Sequence, residues 1–100
     1  MVTTMKTRED ILGVLAREKP HLARRYPIHA LALFGSYARG DQEPTSDVDL
    51  VVDVEPSVGL EFVTLAEELE TLLGLPVDLV SRRAISPRHW QILEPELIYV

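Results

Sequence analysis

The feature that most limits the fold of this chain is an alternation of short apolar segments with longer segments of helical periodicity. Apolar residues dominate His29–Phe34, Val48–Val54 and Val77–Ser81, and each run has the length of a strand. Between the last two runs, Leu60–Leu73 places its apolar residues on one helical face and its glutamates on the other. Strands that alternate with helices predict a sheet with helices packed on it, of the α/β or α+β class.

Helical patterns also flank these strands. Thr7 is a predicted N-cap, because acidic residues and then apolar residues at helical spacing follow it. Pro20 predicts the start of a second helical piece, which Pro27 ends. Ser86, followed by a proline, opens a last helix, and Leu97–Val100 is a predicted final strand. The predicted order is therefore helix, helix, strand, short helix, strand, helix, strand, helix, strand.

The length and the net charge of the chain limit the classes of protein to which it can belong. A chain of 100 residues suits one domain, expected to span residues 1–100. The net charge of −6, from 16 acidic against 10 basic residues, argues against direct binding of nucleic acid. The sequence contains no cysteine, so disulfide and thiolate chemistry are excluded. It shows no signal peptide and no apolar run of membrane-spanning length, so we expect a cytoplasmic protein without a membrane partner.

Two carboxylates lie at the second apolar segment, one directly before it and one within it. Their position in an apolar environment requires a physical explanation. Alternate residues of a strand share one face, so Asp47 and Asp49 point the same way while Val48 points toward the core. Burying two like charges without a counter-charge is costly. Divalent metal relieves this cost most simply, and paired carboxylates that hold two Mg²⁺ ions are common in phosphoryl-transfer enzymes. Asp78 repeats the pattern in the third segment, and it completes a three-carboxylate cluster if that strand neighbours the second.

A glycine–serine pair directly follows the first strand. Gly35 and Ser36 open a short helical piece, and backbone N–H groups at such a turn favour an anion. Gly35 lets the backbone approach a phosphate closely, and the Ser36 hydroxyl can donate to a phosphate oxygen. Arg39, one helical turn farther on, can reach the same phosphates or the chain's own acids. Taken separately, the pair fits an ordinary strand-to-helix turn, Asp47 fits a cap and Asp49 fits an exposed sheet face; only their combination predicts a function.

The pattern GSYARG, a polar loop, SDVDLVV and a later VDLV resembles the nucleotidyltransferase superfamily related to DNA polymerase beta. The nearest branch is that of the minimal nucleotidyltransferases. The signature of the superfamily is Gly-Ser, a spacer, Asp-x-Asp and a third acid on a later strand. Its parts stand here as Gly35, Ser36, Asp47, Asp49 and Asp78. The resemblance implies the nucleotidyltransferase fold, with a small mixed sheet of about four strands and helices packed on it.

The resemblance also implies residue roles and a reaction. The implied catalytic and metal-binding residues, which would share two Mg²⁺ ions, are Asp47, Asp49 and Asp78. Of these, Asp78 would also act as base toward the acceptor. Gly35 and Ser36 would hold the triphosphate of ATP, and Arg39 matches a basic position common in the family. Members of the minimal branch transfer AMP from ATP to a tyrosine of a partner HEPN-domain ribonuclease toxin, and so serve as its antitoxin.

Two alternative functions stay open at this stage. The predicted domain has no part for binding an acceptor, so the acceptor is expected to be another protein. A binding-only antitoxin would mask its toxin by contact and keep a vestigial nucleotide site. A nucleotidyltransferase could instead use a small molecule or an RNA end as acceptor, although the acidic charge disfavours RNA.

Other residues near the motifs have more than one interpretation. Tyr37, in the glycine turn, packs in the core, shapes a nucleotide pocket or is a site of self-modification, and packing is the favoured interpretation. Arg82 and Arg83 follow the third strand and either face the site or carry solvated loop charges. Trp90 is an expected core or interface anchor.

Overall fold

The computed structural model describes residues 6–55, 59 and 61–100, and these form helices packed on a four-stranded sheet. The helices are α1 (Arg8–Arg25), α2 (Gly35–Arg39), α3 (Glu61–Leu73) and α4 (Pro87–Leu93). The strands are β1 (Ile28–Phe34), β2 (Val48–Val54), β3 (Val77–Ser81) and β4 (Ile98–Tyr99), and 3₁₀ turns span Arg82–Ala84 and Glu94–Glu96. Leu60, the predicted first residue of the third helix, lies outside the described residues. Across the described ranges, no helix has the length and hydropathy needed to cross a membrane.

The sheet is mixed, as predicted. Its strand order is β3-β2-β1-β4, with β1 antiparallel to both of its neighbours and β2 parallel to β3. The parallel pair is joined by a crossover that contains α3, as parallel neighbours require. The sequence left open whether β3 lies beside β2, and the structure confirms that it does.

The core fills the space between one face of the sheet and the helices α1 and α3. Alternate residues of β2 point into it, and Val48, Leu50 and Val52 are fully buried. The fully buried helix residues that meet them are Ile11, Leu15, Leu22, Leu65, Leu69 and Leu73. The remaining residues of β2, among them Asp49, therefore lie on the opposite face of the sheet. We call this opposite face, defined by Phe34, Asp49, Val51, Asp78 and Val80, the acidic face.

The predicted break at Pro20 is wrong. One continuous helix, α1, runs through this proline and ends at Arg25. A proline inside a helix removes one backbone hydrogen bond and usually ends or kinks the helix. Here Leu22 continues the buried stripe of Ile11 and Leu15, whereas Pro20 lies on the exposed side. Burial of the residues on either side of the proline keeps the helix in one piece.

The start of α1 gives a first testable prediction. The Thr7 side chain accepts a hydrogen bond from the Asp10 backbone N–H at 3.2 Å, and the Asp10 carboxylate accepts one from the Thr7 N–H at 2.9 Å. This reciprocal capping box confirms the predicted N-cap. Thr7→Ala should lower the free energy of unfolding by about 1 kcal/mol. Urea unfolding measures this, with Thr45→Ala, in an exposed turn, as a control that should leave stability almost unchanged.

Candidate active site

Two of the predicted carboxylates lie side by side near the start of the parallel strands. The register of β2 and β3 pairs Asp49 with Asp78. Both project from the acidic face, because Leu50 and Leu79, the residues that follow them, pack toward the α1–α3 core. Asp47 precedes β2 by one residue and is exposed. The chain thus collects three carboxylates at one end of a strand pair.

The pKa of Asp49 reflects the closeness of the three carboxylates. Partial burial raises the pKa of Asp49 above the ordinary aspartate value, and the negative charges of Asp78 and Asp47 raise this pKa further. The positive charge of Arg39 lowers the pKa of Asp49, but its effect is smaller than that of burial. The ionised form of Asp49 is thus unfavourable without a counter-charge. A bound cation would offset that repulsion.

The glycine turn touches this carboxylate. Gly35 has φ +77°, and β1 and β2 pair its neighbour Phe34 with Asp49. A Cβ added to Gly35 would overlap the Oδ2 atom of Asp49 and lie 3.0 Å from its Cγ. Only glycine therefore allows the turn and the carboxylate to come so close. Sequence reasoning selected both residues but did not predict that they touch.

Ser36 and Tyr37 follow in α2 and have different environments. Ser36 is half-buried beside Gly35, and its carbonyl accepts hydrogen bonds from the N–H groups of Gly40 and Asp41 at 2.8 and 3.1 Å. Tyr37 is only 3% exposed and packs in the core. Of the three interpretations of Tyr37, packing in the core is the one that this burial supports.

Arg39 contacts the chain's own acids, which is one of the two alternatives that its sequence position left open. Its guanidinium donates through Nε to Asp41 and through an Nη atom to Glu96, both at 3.1 Å. Asp41 and Glu96 also hold the pKa of the Arg39 guanidinium above its ordinary value, through hydrogen bonds and charge. Glu96 lies 57 residues from Arg39 in the chain, so no local pattern could have identified this contact. The ion pair ties the second 3₁₀ turn to the end of α2.

The arginines after β3 have separate contacts. The Arg82 guanidinium lies 3.7 Å from the centre of the Trp90 ring, a cation–π arrangement. Arg83 donates to the carbonyl of Val54, which lies at the opposite end of β2 from Asp49. Trp90 also donates from its indole nitrogen to Glu94 at 3.1 Å. The Arg82–Trp90 contact joins the first 3₁₀ turn to α4, the Arg83 contact joins the same turn to β2, and the Trp90–Glu94 contact joins α4 to the second 3₁₀ turn.

The carboxylates do not form a closed metal site as placed. Among residues 6–55, 59 and 61–100, no three His, Asp or Glu side chains converge closely enough to hold a metal ion. The donor set still fits Mg²⁺, since it consists of carboxylate oxygens, which this ion prefers. The raised pKa of Asp49 fits as well, because a nearby cation would relieve its cause. Metal binding by Asp47, Asp49 and Asp78 stays a prediction.

Comparison with known proteins identifies the family. Residues 16–100 match the model of the family described as the nucleotidyltransferase domain. The protein adenylyltransferase MntA of Thermococcus cleftensis is 41% identical over 98 residues, covering 96% of this chain and 98% of MntA. A solved structure described as a minimal nucleotidyltransferase superposes with a TM-score of 0.76 at 32% identity, over 96% of this chain and 98% of that one. A chain of a toxin–antitoxin complex with AMP-PNP superposes with a TM-score of 0.56 at 29% identity, over 81% of this chain and 61% of that one. The chain therefore belongs to the nucleotidyltransferase domain family.

Proposed function

We propose that this protein transfers AMP from ATP to a tyrosine hydroxyl of a partner HEPN ribonuclease toxin and thereby acts as its antitoxin. The proposed reaction depends on Mg²⁺, uses two metal ions and releases pyrophosphate. Residues 1–100 would perform it as one domain. The observation that carries the proposal is the pairing of Asp49 with Asp78 on neighbouring strands, directly against the bare backbone of Gly35.

Each motif has a part in the proposed reaction. Gly35 and Ser36 hold the triphosphate beside Asp49, because no side chain stands between the turn and that carboxylate. Asp47 and Asp49 would hold both Mg²⁺ ions, and Asp78 would hold one of them. When bound, Mg²⁺ supplies neutralisation of the negative charge that develops on the phosphate oxygens.

The transfer step needs a proton acceptor near the incoming hydroxyl. The acceptor oxygen forms a bond to the α-phosphorus while its proton passes to the Asp78 carboxylate. The bond between the α-phosphorus and the bridging oxygen breaks, and pyrophosphate leaves. Asp78 suits this role because it is exposed on β3, an edge strand that a second protein can approach.

The relatives support a protein acceptor. The Thermococcus cleftensis relative is named a protein adenylyltransferase, and one structural match is a toxin–antitoxin complex with AMP-PNP. The HEPN class of the partner and the tyrosine acceptor follow from the resemblance of the GSYARG and SDVDLVV motifs to minimal nucleotidyltransferases.

The test is the intact mass of a candidate HEPN partner after incubation with this protein, ATP and Mg²⁺. Wild type should add one or more AMP units to the partner, and the double variant Asp47→Asn, Asp49→Asn should add none. Peptide mapping should then place the added mass on a tyrosine. Chelation of the metal with EDTA should also abolish the gain, since the carboxylates would lack their cations.

Two other outcomes would contradict this proposal and support one of the alternative functions. If the partner is bound and its ribonuclease activity inhibited without any gain of mass, the protein is a binding-only antitoxin. Label that appears on RNA or on a small molecule without a partner protein would instead identify a different acceptor class.

A further inference from the structure

Glu96, in the second 3₁₀ turn, lies outside the carboxylate group but close to the acidic face of the sheet. It stands at the rim of an open, mainly apolar cavity of about 410 Å³, whose lining also includes Phe34 of β1 and Val80 of β3. Phe34 pairs with Asp49 in the register of β1 and β2. The fold therefore brings Glu96 near the site, although it is remote from Asp49 in the chain.

Glu96 is one of two acids that hold the Arg39 side chain. An Nη atom of Arg39 donates to Glu96 and the Nε atom donates to Asp41, both at 3.1 Å. In the part of the chain that the structure describes, these two acids form the ion pairs of Arg39, and none joins it to the three carboxylates of the proposed site. The guanidinium is therefore paired outside the site.

Arg39 is nevertheless close enough to Asp49 for its charge to act there. Gly35 touches the Asp49 carboxylate, and Arg39 lies one helical turn after Gly35 in α2. Burial raises the pKa of Asp49, whereas the positive charge of Arg39 lowers it. A guanidinium readily forms paired hydrogen bonds with a carboxylate, because the geometries of the two groups match. Without its two acidic partners, Arg39 would have the carboxylates of the site as its nearest counter-charges.

Stability does not account for these ion pairs. The side chain of Arg39 is 51% exposed, and those of Asp41 and Glu96 are 62% and 40% exposed. Ion pairs with this exposure contribute little to folding, because water and salt screen their charges. Their effect on the position of the guanidinium matters more, since Arg39 and a metal ion would compete for the same carboxylate oxygens.

We propose that Glu96 is a positioning residue, which acts through Arg39 and keeps the carboxylates of the site open to divalent cations. The inference rests on the metal binding that the proposed function assigns to these carboxylates. While Glu96 and Asp41 are in place, the guanidinium stays paired outside the site. When Glu96 is replaced, Arg39 turns toward Asp49 and competes with the cation.

The test measures cation binding without nucleotide or partner protein. Mn²⁺ is the probe, because it suits the same oxygen ligands as Mg²⁺ and its electron paramagnetic resonance signal distinguishes free from bound ions. Glu96→Gln, which keeps the shape of the side chain, should raise the Mn²⁺ dissociation constant about fivefold, the scale of one exposed ion pair. The variant that also carries Asp41→Asn should raise it at least about tenfold, because Arg39 then has neither acidic partner.

The matched control is Glu94→Gln, in the same 3₁₀ turn. Glu94 accepts a hydrogen bond from Trp90 rather than from Arg39, so its replacement removes the same charge and leaves the guanidinium paired. Its Mn²⁺ dissociation constant should stay within about twofold of the wild-type value, since long-range effects of an exposed charge are screened.

A double-mutant cycle with Arg39→Gln separates an effect through Arg39 from a structural role of Glu96. In the Arg39→Gln background, Glu96→Gln should change the Mn²⁺ dissociation constant less than about twofold, because no guanidinium is left to compete. Equal weakening of Mn²⁺ binding with and without Arg39 would overturn the inference, since Glu96 would then act on the fold.

Two further outcomes separate this inference from the proposed function. If Mn²⁺ affinity is unchanged in Glu96→Gln and in the variant that also carries Asp41→Asn, while AMP transfer to the partner is intact, the inference is overturned and the proposed function stands. If wild type binds no Mn²⁺, or binds it equally well after Asp49→Asn, the proposed metal site is wrong and the inference fails with it.

Discussion

Replacing Asp49 by asparagine should lower AMP transfer at least about 100-fold and yet leave the metal-free protein as stable as wild type or more so. Asp49 is the central carboxylate, paired with Asp78 and touching the glycine turn at Gly35. Asparagine keeps its shape but removes the negative charge that would hold Mg²⁺. Loss of activity without loss of stability separates a functional acid from a structural one.

The stability part of this prediction has a definite dependence on pH. The pKa of Asp49 in the folded protein is raised above the unfolded value, first by burial and then by the charges of Asp78 and Asp47. The unfolded chain therefore ionises Asp49 at a lower pH than the folded one, and wild-type stability falls as pH rises through the folded pKa. The advantage of Asp49→Asn should be largest near neutral pH. It should vanish in acid below the unfolded pKa, where wild-type Asp49 is protonated in both states.

Urea unfolding in EDTA at several pH values measures the stability, and the partner assay measures the activity. Asp53→Asn is the matched control, because Asp53 occupies the same face of β2 four residues farther on, opposite Ala30. This control should keep most of the activity. Equal loss of activity in the Asp53 and Asp49 variants would contradict the assignment, as would an Asp49 variant with wild-type turnover.

Gly35→Ala should abolish nucleotide binding and lower the free energy of unfolding by about 2 kcal/mol. Two effects combine in this variant. A left-handed φ of +77° is unfavourable for alanine, and the new methyl group would overlap the Asp49 carboxylate. Either the turn or the carboxylate must move, and both belong to the proposed site. Calorimetry with ATP and Mg²⁺, together with urea unfolding, measures the two effects.

The chain offers a matched control at the other end of the same helix. Gly40 has φ +83°, but an added Cβ there meets no atom within 4 Å. Gly40→Ala should therefore show the conformational penalty alone, about 1 kcal/mol, and retain nucleotide affinity. If both variants bind ATP equally well, contact between Gly35 and Asp49 has no part in nucleotide binding.

Local patterns predicted most of the sheet and the positions of the acids. The bounds of β2 and β3 agree with the apolar runs Val48–Val54 and Val77–Ser81, because strand alternation and flanking turns are encoded within a few residues. Side chains alternate between the two faces of a strand, and this alternation predicted that Asp49 lies on the sheet face opposite the core. The pairing of Asp49 with Asp78 was conditional on strand order, which the sequence did not determine.

Features that depend on contacts between residues far apart in the chain were predicted wrongly or were not predicted. Pro20 predicted the start of a separate helical piece, but burial of Leu22 beside the core overrides that local signal. The Arg39–Glu96 ion pair joins residues 57 positions apart, so the sequence could name the chain's own acids as partners of Arg39 but could not single out Glu96. The apolar cavity exists only because the segment after β3 folds back over the acidic face. Such tertiary arrangements have no signature within a short window of sequence.

The edge position of β3 makes the proposed site prone to local opening. This strand of five residues has no fully buried position, yet it contributes both Asp78 and Val80. Partly exposed edge strands open locally at a lower free energy than a buried core. One opening event at β3 would remove the proton acceptor and one wall of the cavity together, while the α1–α3 core stayed folded. A ligand that bridges β2 and β3 would hold the strand closed by mass action. Detachment of this single strand would then limit the working temperature of the enzyme, at a value well below the temperature of global unfolding.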